Sequence, residues 1–501
     1  MEFQNFRSAA HLLVCALMIG ACTSLPRVPE NCQVTGEDAR IWPDYTGVTV
    51  PSNIAPLNFV VKDADECVAR FSHGGKTMGC SGSGQIEIDI DEWRKMLSEA
   101  AGDSIKVQVF ASSGGEWKGY KPFCVHVAKE QIDSFVAYRQ IPPSYVMYDQ
   151  MRIVQRDLTS FAEYEVYNNK WSEVRGQSHC VNCHSFQNYH TAKMQMHVRE
   201  GFGGTLIAED GAVRKVNLKR EGNPMGGAYP AWNPKFDVIA YSSNLTMQNF
   251  FTANIAKIEV QDSKSDLVLY DVKKDKVIRI SDTPFDLEVF PTWSPDGRWL
   301  YYSVAAVKDT ARIEFVKQYD KIRYNIYRRR FSPDSLSLGE PEPVLMASAD
   351  SLSATLPRIS PDGKWLLTGQ APYGVFHIWH PEADLFLTNL ATGETHALAE
   401  ANSDRAESFH NWSSNGRWIV FTSRRGDGNF TRLYMAYVDA EGNARKAFEL
   451  PQKNPLAELE SIWSYNTPEF TVEKVRISRK AFADAVVGTI DNPKSVIRKN
   501  K

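Results

Sequence analysis

Four times in its second half this chain repeats one short pattern: a bulky residue, a proline- or glycine-based turn, then an apolar strand. The copies are Pro230-Ala231-Trp232-Asn233-Pro234-Lys235-Phe236-Asp237, Pro291-Thr292-Trp293-Ser294-Pro295-Asp296-Gly297-Arg298-Trp299, Pro357-Arg358-Ile359-Ser360-Pro361-Asp362-Gly363-Lys364-Trp365 and His410-Asn411-Trp412-Ser413-Ser414-Asn415-Gly416-Arg417-Trp418. Asp-Gly and Asn-Gly tolerate the positive φ that reverses a chain between two strands. A four-stranded unit cannot bury both its faces alone, so the copies must stack around an axis, with the leading Trp or Ile packed between neighbours. Glu460-Ser461-Ile462-Trp463-Ser464 reads as a degenerate fifth copy, and strands at Gly203–Ile207 and Val213–Val216 precede the first. The expectation is an all-β fold with a six-bladed β-propeller over residues 200–472. An open sandwich with similar turns is the alternative.

Just ahead of the repeats stands Cys180-Val181-Asn182-Cys183-His184. Two cysteines separated by two residues and followed by histidine are the attachment pattern for a c-type haem. The two thiols add across the vinyl groups of one porphyrin edge, and the adjacent imidazole becomes an axial ligand of the iron. A zinc site needs further Cys or His ligands at compatible spacing, and no second CxxC exists; a disulfide or inert thiols are the remaining alternatives. Candidates for the sixth iron position are His190, Met194, Met196 and His197, with Met225 farther off. As a strand, Lys193–Arg199 puts Met194, Met196 and Val198 on one face and Gln195, His197 and Arg199 on the other. Met194 is the first choice and His197 the second, with Arg199 placed to pair with a propionate. A thioether ligand raises the potential, and two imidazoles lower it. The methionine stripe also reads as a strand facing core.

Haem of this kind is attached outside the cytoplasm, and the N-terminus reads as an export signal. An apolar run from Leu12 to Ile19 ends in Gly20-Ala21-Cys22, too short to span a bilayer. Small residues directly before a cysteine resemble the bacterial lipobox, which implies a signal peptide over 1–21 and lipid on Cys22. Of the 8 cysteines, Cys32, Cys67, Cys80 and Cys124 then remain, an even number suited to two disulfides in an exported domain. The leaning is to Cys67–Cys80. Residues 22–40 read as a tether. Residues 41–145 carry short strands and one helix near Asp91–Ala101, and read as a small β-sandwich-like domain. Residues 146–199 read as an irregular, partly helical, aromatic-rich haem-binding segment, and 473–501 as a basic tail with a short surface helix at Ala481–Ile490.

The blade motif at Trp293–Trp299, with its variants at Trp232, Ile359 and Trp412, resembles the PD40 repeats of TolB-like propellers. Together with the lipobox, Cys180–His184 and Met194–Arg199, the chain is similar to PD40 lipoproteins of Bacteroidetes. The resemblance implies an envelope lipoprotein carrying one covalent haem c. Surface export in that phylum goes with acidic residues after the lipid cysteine. Thr23-Ser24-Leu25-Pro26-Arg27 has none, which implies an outer-membrane protein facing the periplasm.

The net charge of −3 excludes a nucleic-acid partner, and membrane attachment would be through the lipid alone. No Gly-x-Ser-x-Gly elbow is present, which argues against a serine hydrolase. The expected function is electron transfer, with the propeller docking an envelope protein partner. The alternatives are an interaction or assembly scaffold with a structural or sensory haem, and a haem enzyme such as a peroxidase. A non-enzymatic role is preferred.

Overall fold

The computed structural model describes residues 25–30, 32–143, 145–174, 177–254, 256–280, 286–307 and 318–497. The expected signal peptide and Cys22 lie outside the described residues. The fold is all-β and propeller-like; the α-helices named among the described residues are short, Ile90–Glu99, Ala457–Glu460 and Arg479–Val487.

From Phe135 onward the strands fall into four-stranded antiparallel units in chain order. Sheet 1 contains Phe135–Ile141, Arg152–Asp157 and Glu163–Asn168, and takes its fourth strand, Ser464–Thr471, from the far end of the chain. Sheet 2 runs His179–Gln187, His190–Glu200, Gly204–Glu209 and Ala212–Val216. Sheet 3 begins at Ala228–Trp232 and sheet 4 at Asp286–Trp293, with one parallel bridge, Ser265 to Leu287, joining them. Sheets 5 and 6 begin at Ser353–Ile359 and Glu407–Trp412. The second strands are buried on both faces, as in Trp418–Ser423, where each residue is buried. That is why they read as apolar runs rather than as alternating patterns.

The repeated turn works through its serine. Ser294, Ser360 and Ser413 each accept a hydrogen bond at Oγ from the backbone N–H of Trp299, Trp365 and Trp418, and each donates to Asp296, Asp362 or Asn415. The glycines that follow, Gly297, Gly363 and Gly416, have φ of 68°, 73° and 66°, a left-handed turn that costs glycine least.

Several boundaries differ from the sequence expectation. The segment 146–199 is regular: it supplies two strands of sheet 1 and two of sheet 2. Pro142-Pro143 falls between two paired strands of one sheet, so the sheets begin well before residue 200. The tether is anchored, because Gln33–Asp38 pairs in parallel with Glu116–Lys121 and Arg70 donates to the Pro26 carbonyl. The tail is also packed. Its helix buries Phe482 and Val486, while Ile490–Asp491 and Lys494–Ile497 extend the edges of sheets 2 and 3.

The N-terminal part forms a seven-stranded and a three-stranded sheet around helix Ile90–Glu99. Asp89 caps that helix, accepting from the N–H groups of Asp91 and Glu92. Trp93, Met96 and Leu97 form its buried face. Cys67 and Cys80 lie on one face of a hairpin, one pair of residues out of direct register. Both are unbridged, as are Cys32 and Cys124.

Candidate functional site

The first strand of sheets 2 to 6 and the strand Ser464–Thr471 share one irregularity. Each carries a residue in the left-handed region: Cys183, Tyr229, Phe290, Leu356, Phe409 and Thr467, with φ of 47°, 49°, 54°, 52°, 46° and 47°. Each coincides with a register shift against the neighbouring strand. Left-handed backbone at bulky or β-branched residues costs about 1–3 kcal/mol apiece, so the surrounding fold holds all six. Three residues further on stand Phe186, Trp232, Trp293, Ile359, Trp412 and Phe470, each in a different apolar cluster. The cysteine motif is therefore a copy of the blade pattern. Cys183-His184-Ser185-Phe186 occupies the register of Phe290-Pro291-Thr292-Trp293. The expected fifth copy at Trp463 is displaced: Phe470 holds the equivalent position.

The left-handed residues form a waist between two cavities. One, of about 710 Å³, is lined by residues preceding the waist, such as Asn182, Ala228 and Asn466. The other, of about 480 Å³, is lined by residues following it, among them His184, Pro230, Pro291, His410 and Pro468. Cys183, Tyr229, Phe409 and Thr467 border both.

Cys180 and Cys183 are unbridged, the first partly exposed and the second buried. Cys180 pairs across the strand with Arg199, and Asn182 with His197. Directly opposed residues share a face of a sheet, so Cys180, Asn182, His197 and Arg199 project together. Burial raises the Cys180 thiol, and the charges of Arg199 and Arg139 oppose that. His184 is 5% exposed and neither of its ring nitrogens has a hydrogen-bond partner among the described residues. Burial, then the Arg139 guanidinium, holds its pKa down to about 3. A buried imidazole left without partners is costly, and a metal or cofactor bond is one way to satisfy it.

His197 lines the larger cavity; its Nδ1 shares a hydrogen bond of 2.8 Å with the Thr205 hydroxyl, and its Nε2 has no partner among the described residues. Burial holds this ring also to about 3. Met194 does not join the group. It is fully buried with Val181, Phe186, Met196 and Val198 on the opposite face of the sheet. The predicted alternation of faces holds, and it is His197 and Arg199, not Met194, that face the cavity beside Cys183. His179 is committed to Tyr167 at 2.7 Å, and His190 is exposed.

Two residues passed over in the sequence belong to the site. Arg139, on sheet 1, donates to Asn182 and to Asn466 (3.0 Å) and lines the larger cavity. His410 holds the same register as His184, one residue after the left-handed position, with Nε2 at 2.7 Å from the Leu356 carbonyl. The shared register was the available signal for His410; nothing in the local sequence marks Arg139.

Among the described residues, no group of three or more His, Cys, Asp or Glu side chains is arranged to hold a metal ion. Zinc would require such a group. A haem of this type takes two thiols and one imidazole; here Cys183 borders both cavities, His184 lines the smaller one and Cys180 stands on the strand beside them.

No protein-family profile matches the chain, and no curated protein matches its sequence. Among solved structures it is similar to prolyl oligopeptidase B from Galerina marginata, at 10% identity over 68% of this chain and 42% of that one, with a TM-score of 0.35. The tricorn protease aligns at 13% identity over 70% and 33%, TM-score 0.33. Hydrazine synthase of Kuenenia stuttgartiensis aligns at 12% over 52% and 63%, TM-score 0.29. The chain thus spans well under half the length of the two peptidases, and TM-scores this low carry no argument about its chemistry.

Proposed function

We propose that the chain is a six-bladed, TolB-like propeller lipoprotein of the bacterial envelope that carries one c-type haem and transfers electrons to or from a protein partner. The observation that carries this reading is His184, buried with both ring nitrogens unpartnered, one residue after a thiol bordering both cavities. Six four-stranded units and six matching left-handed positions support the blade number.

In this reading Cys180 and Cys183 would hold the haem covalently and His184 would bind its iron, and the haem would supply a one-electron couple tuned by its ligands and surroundings. Arg139 and Arg199 oppose, without cancelling, the burial that raises the Cys180 thiol. Arg139 also fixes Asn182 within the motif. The apolar cluster on one face of sheet 2 packs Val181 and Phe186 of its inner strand. His197 is the remaining candidate for the second axial position. The haem-enzyme reading is favoured by one observation, the 710 Å³ cavity beside Cys183.

The test is expression with haem-maturation machinery. Native protein retains a pyridine haemochrome after acid-acetone extraction, and Cys180→Ala combined with Cys183→Ala abolishes it. Retention of the signal in the double variant overturns the covalent haem. Fatty-acid labelling that survives Cys22→Ala overturns the lipid anchor.

A further inference from the structure

The larger cavity carries an unmatched positive charge. Arg139 and Arg199 both line it, beside Asn182 and Cys183, and neither has a carboxylate within ion-pair distance among the described residues. Arg139 uses its N–H groups on neutral acceptors, the Asn466 and Asn182 side chains. Arg199 makes no hydrogen bond to any described residue. Burial depresses the ionisation of Arg139, and the nearby Arg199 adds to the effect. Of the nearby carboxylates only that of Glu200 lines the cavity, against the positive groups of Arg139, Arg199 and Lys219. Asp262, behind Tyr229, accepts from Asn244 (2.6 Å) and Thr246 (2.8 Å), and exposed Glu200 forms no ion pair with either arginine. Two guanidinium groups, one half-buried and one exposed, facing the same open-mouthed cavity without an ion-paired carboxylate are an anion-binding arrangement, and the planar fork of arginine matches oxyanions in two-point contacts.

We propose that this cavity binds a small oxyanion between Arg139 and Arg199, with Asn182 and Tyr229 as neighbouring polar contacts. The class is a compact anion of the nitrite, sulfite or carboxylate kind. Haem propionates do not meet this need. In the reading above the thioether bonds fix the vinyl edge of the porphyrin at Cys180 and Cys183, and the propionates leave from the opposite edge. Cross-strand pairing of Arg199 with Cys180 therefore puts it at the wrong edge for the propionate role expected from sequence. The hairpin formed by Val238–Phe250 and Ile258–Asp271 reaches over the cavity with Asn244, Thr246, Gln248 and Val260. It limits entry to small ligands.

Calorimetric titration of the purified protein with nitrite, sulfite and acetate, each at constant ionic strength, tests the site. At least one anion binds at one site per chain, and Arg199→Gln weakens it tenfold or more. Arg199 is exposed and unpartnered, so that variant folds; Arg139→Lys, which keeps charge but loses the fork, weakens binding as well. Absence of binding by all three anions, or equal binding by native protein and Arg199→Gln, overturns the proposal. The haemochrome measured on the same samples separates the two readings: loss of haem with retained anion binding sinks the cytochrome and leaves the anion site standing.

Discussion

Glu259 and His380 meet at 2.7 Å, both about 1% exposed, and join the overhanging hairpin of sheet 3 to the loop that follows Trp365–Ala371 in sheet 5. Removing one partner of a buried hydrogen bond leaves the other unsatisfied, at a cost of about 1–3 kcal/mol. His380→Ala therefore loosens the hairpin. Hydrogen exchange should accelerate over residues 244–262 while sheet 6 keeps its protection. Uniform acceleration across all sheets would show that the pair stabilises the whole fold instead of fastening the hairpin.

Glu449 gives the protein a pH-dependent stability. Burial, and secondarily Glu458, raise its pKa from 4.5 to about 8, against the opposing Tyr434 hydrogen bond and the charges of Arg432 and Arg425. The folded state thus holds a proton that the unfolded chain releases above about 4.5. Stability falls as pH rises from about 4.5 to about 8, and Glu469, which burial also raises to about 8, adds a second proton over the same range. Glu449→Gln, which cannot ionise, should flatten this part of a urea-midpoint profile between pH 5 and 8. An unchanged slope would locate the dependence in another group.

Thr467 is the one β-branched residue among the six at the waist. Asparagine adopts the left-handed region far more readily, so Thr467→Asn should stabilise the protein by about 0.5–1 kcal/mol. Chemical denaturation measures it. A loss of stability would mean that the threonine side chain contributes more in the two cavities than the backbone strain costs.

Met194 packs in the core and His197 faces the cavity, so substitution separates their roles. Met194→Leu conserves volume, costs less than about 1.5 kcal/mol, and leaves the visible and near-infrared spectrum of the haem-loaded protein unchanged. His197→Ala shifts the ferric spectrum. A spectrum altered by Met194→Leu but not by His197→Ala would reverse the assignment.

The repeats were legible because their turns carry chemistry in the side chains: serine, aspartate and glycine appear wherever the backbone reverses. Sheets 1 and 2 were not, because Phe186 and Phe470 stand in the tryptophan position without a Ser-Pro-Asp-Gly turn behind them. The waist was also hidden. Cys183, Tyr229, Phe290, Leu356, Phe409 and Thr467 share a backbone conformation and no side-chain property. Alternation along Lys193–Arg199 correctly separated Met194 from His197, yet both faces of that strand are buried, so hydrophobicity alone could not say which one meets the cavity. The strand Gln33–Asp38 was read as tether because it is an exposed edge with no apolar face. The tail's helix was visible, but its two parallel strand additions depend on partners far away in sequence.

Sheet 1 borrows the strand beside Phe135–Ile141 from residues 464–471, and this imposes an order of events on a chain emerging N-terminus first. Until those residues arrive, the wall next to Cys180, Cys183 and His184 has a gap one strand wide. If the chain carries the haem proposed above, a bulky planar group would reach the thiols sideways during that interval. Once the late strand zips in, that group would be sealed behind it and could leave only if the wall came apart.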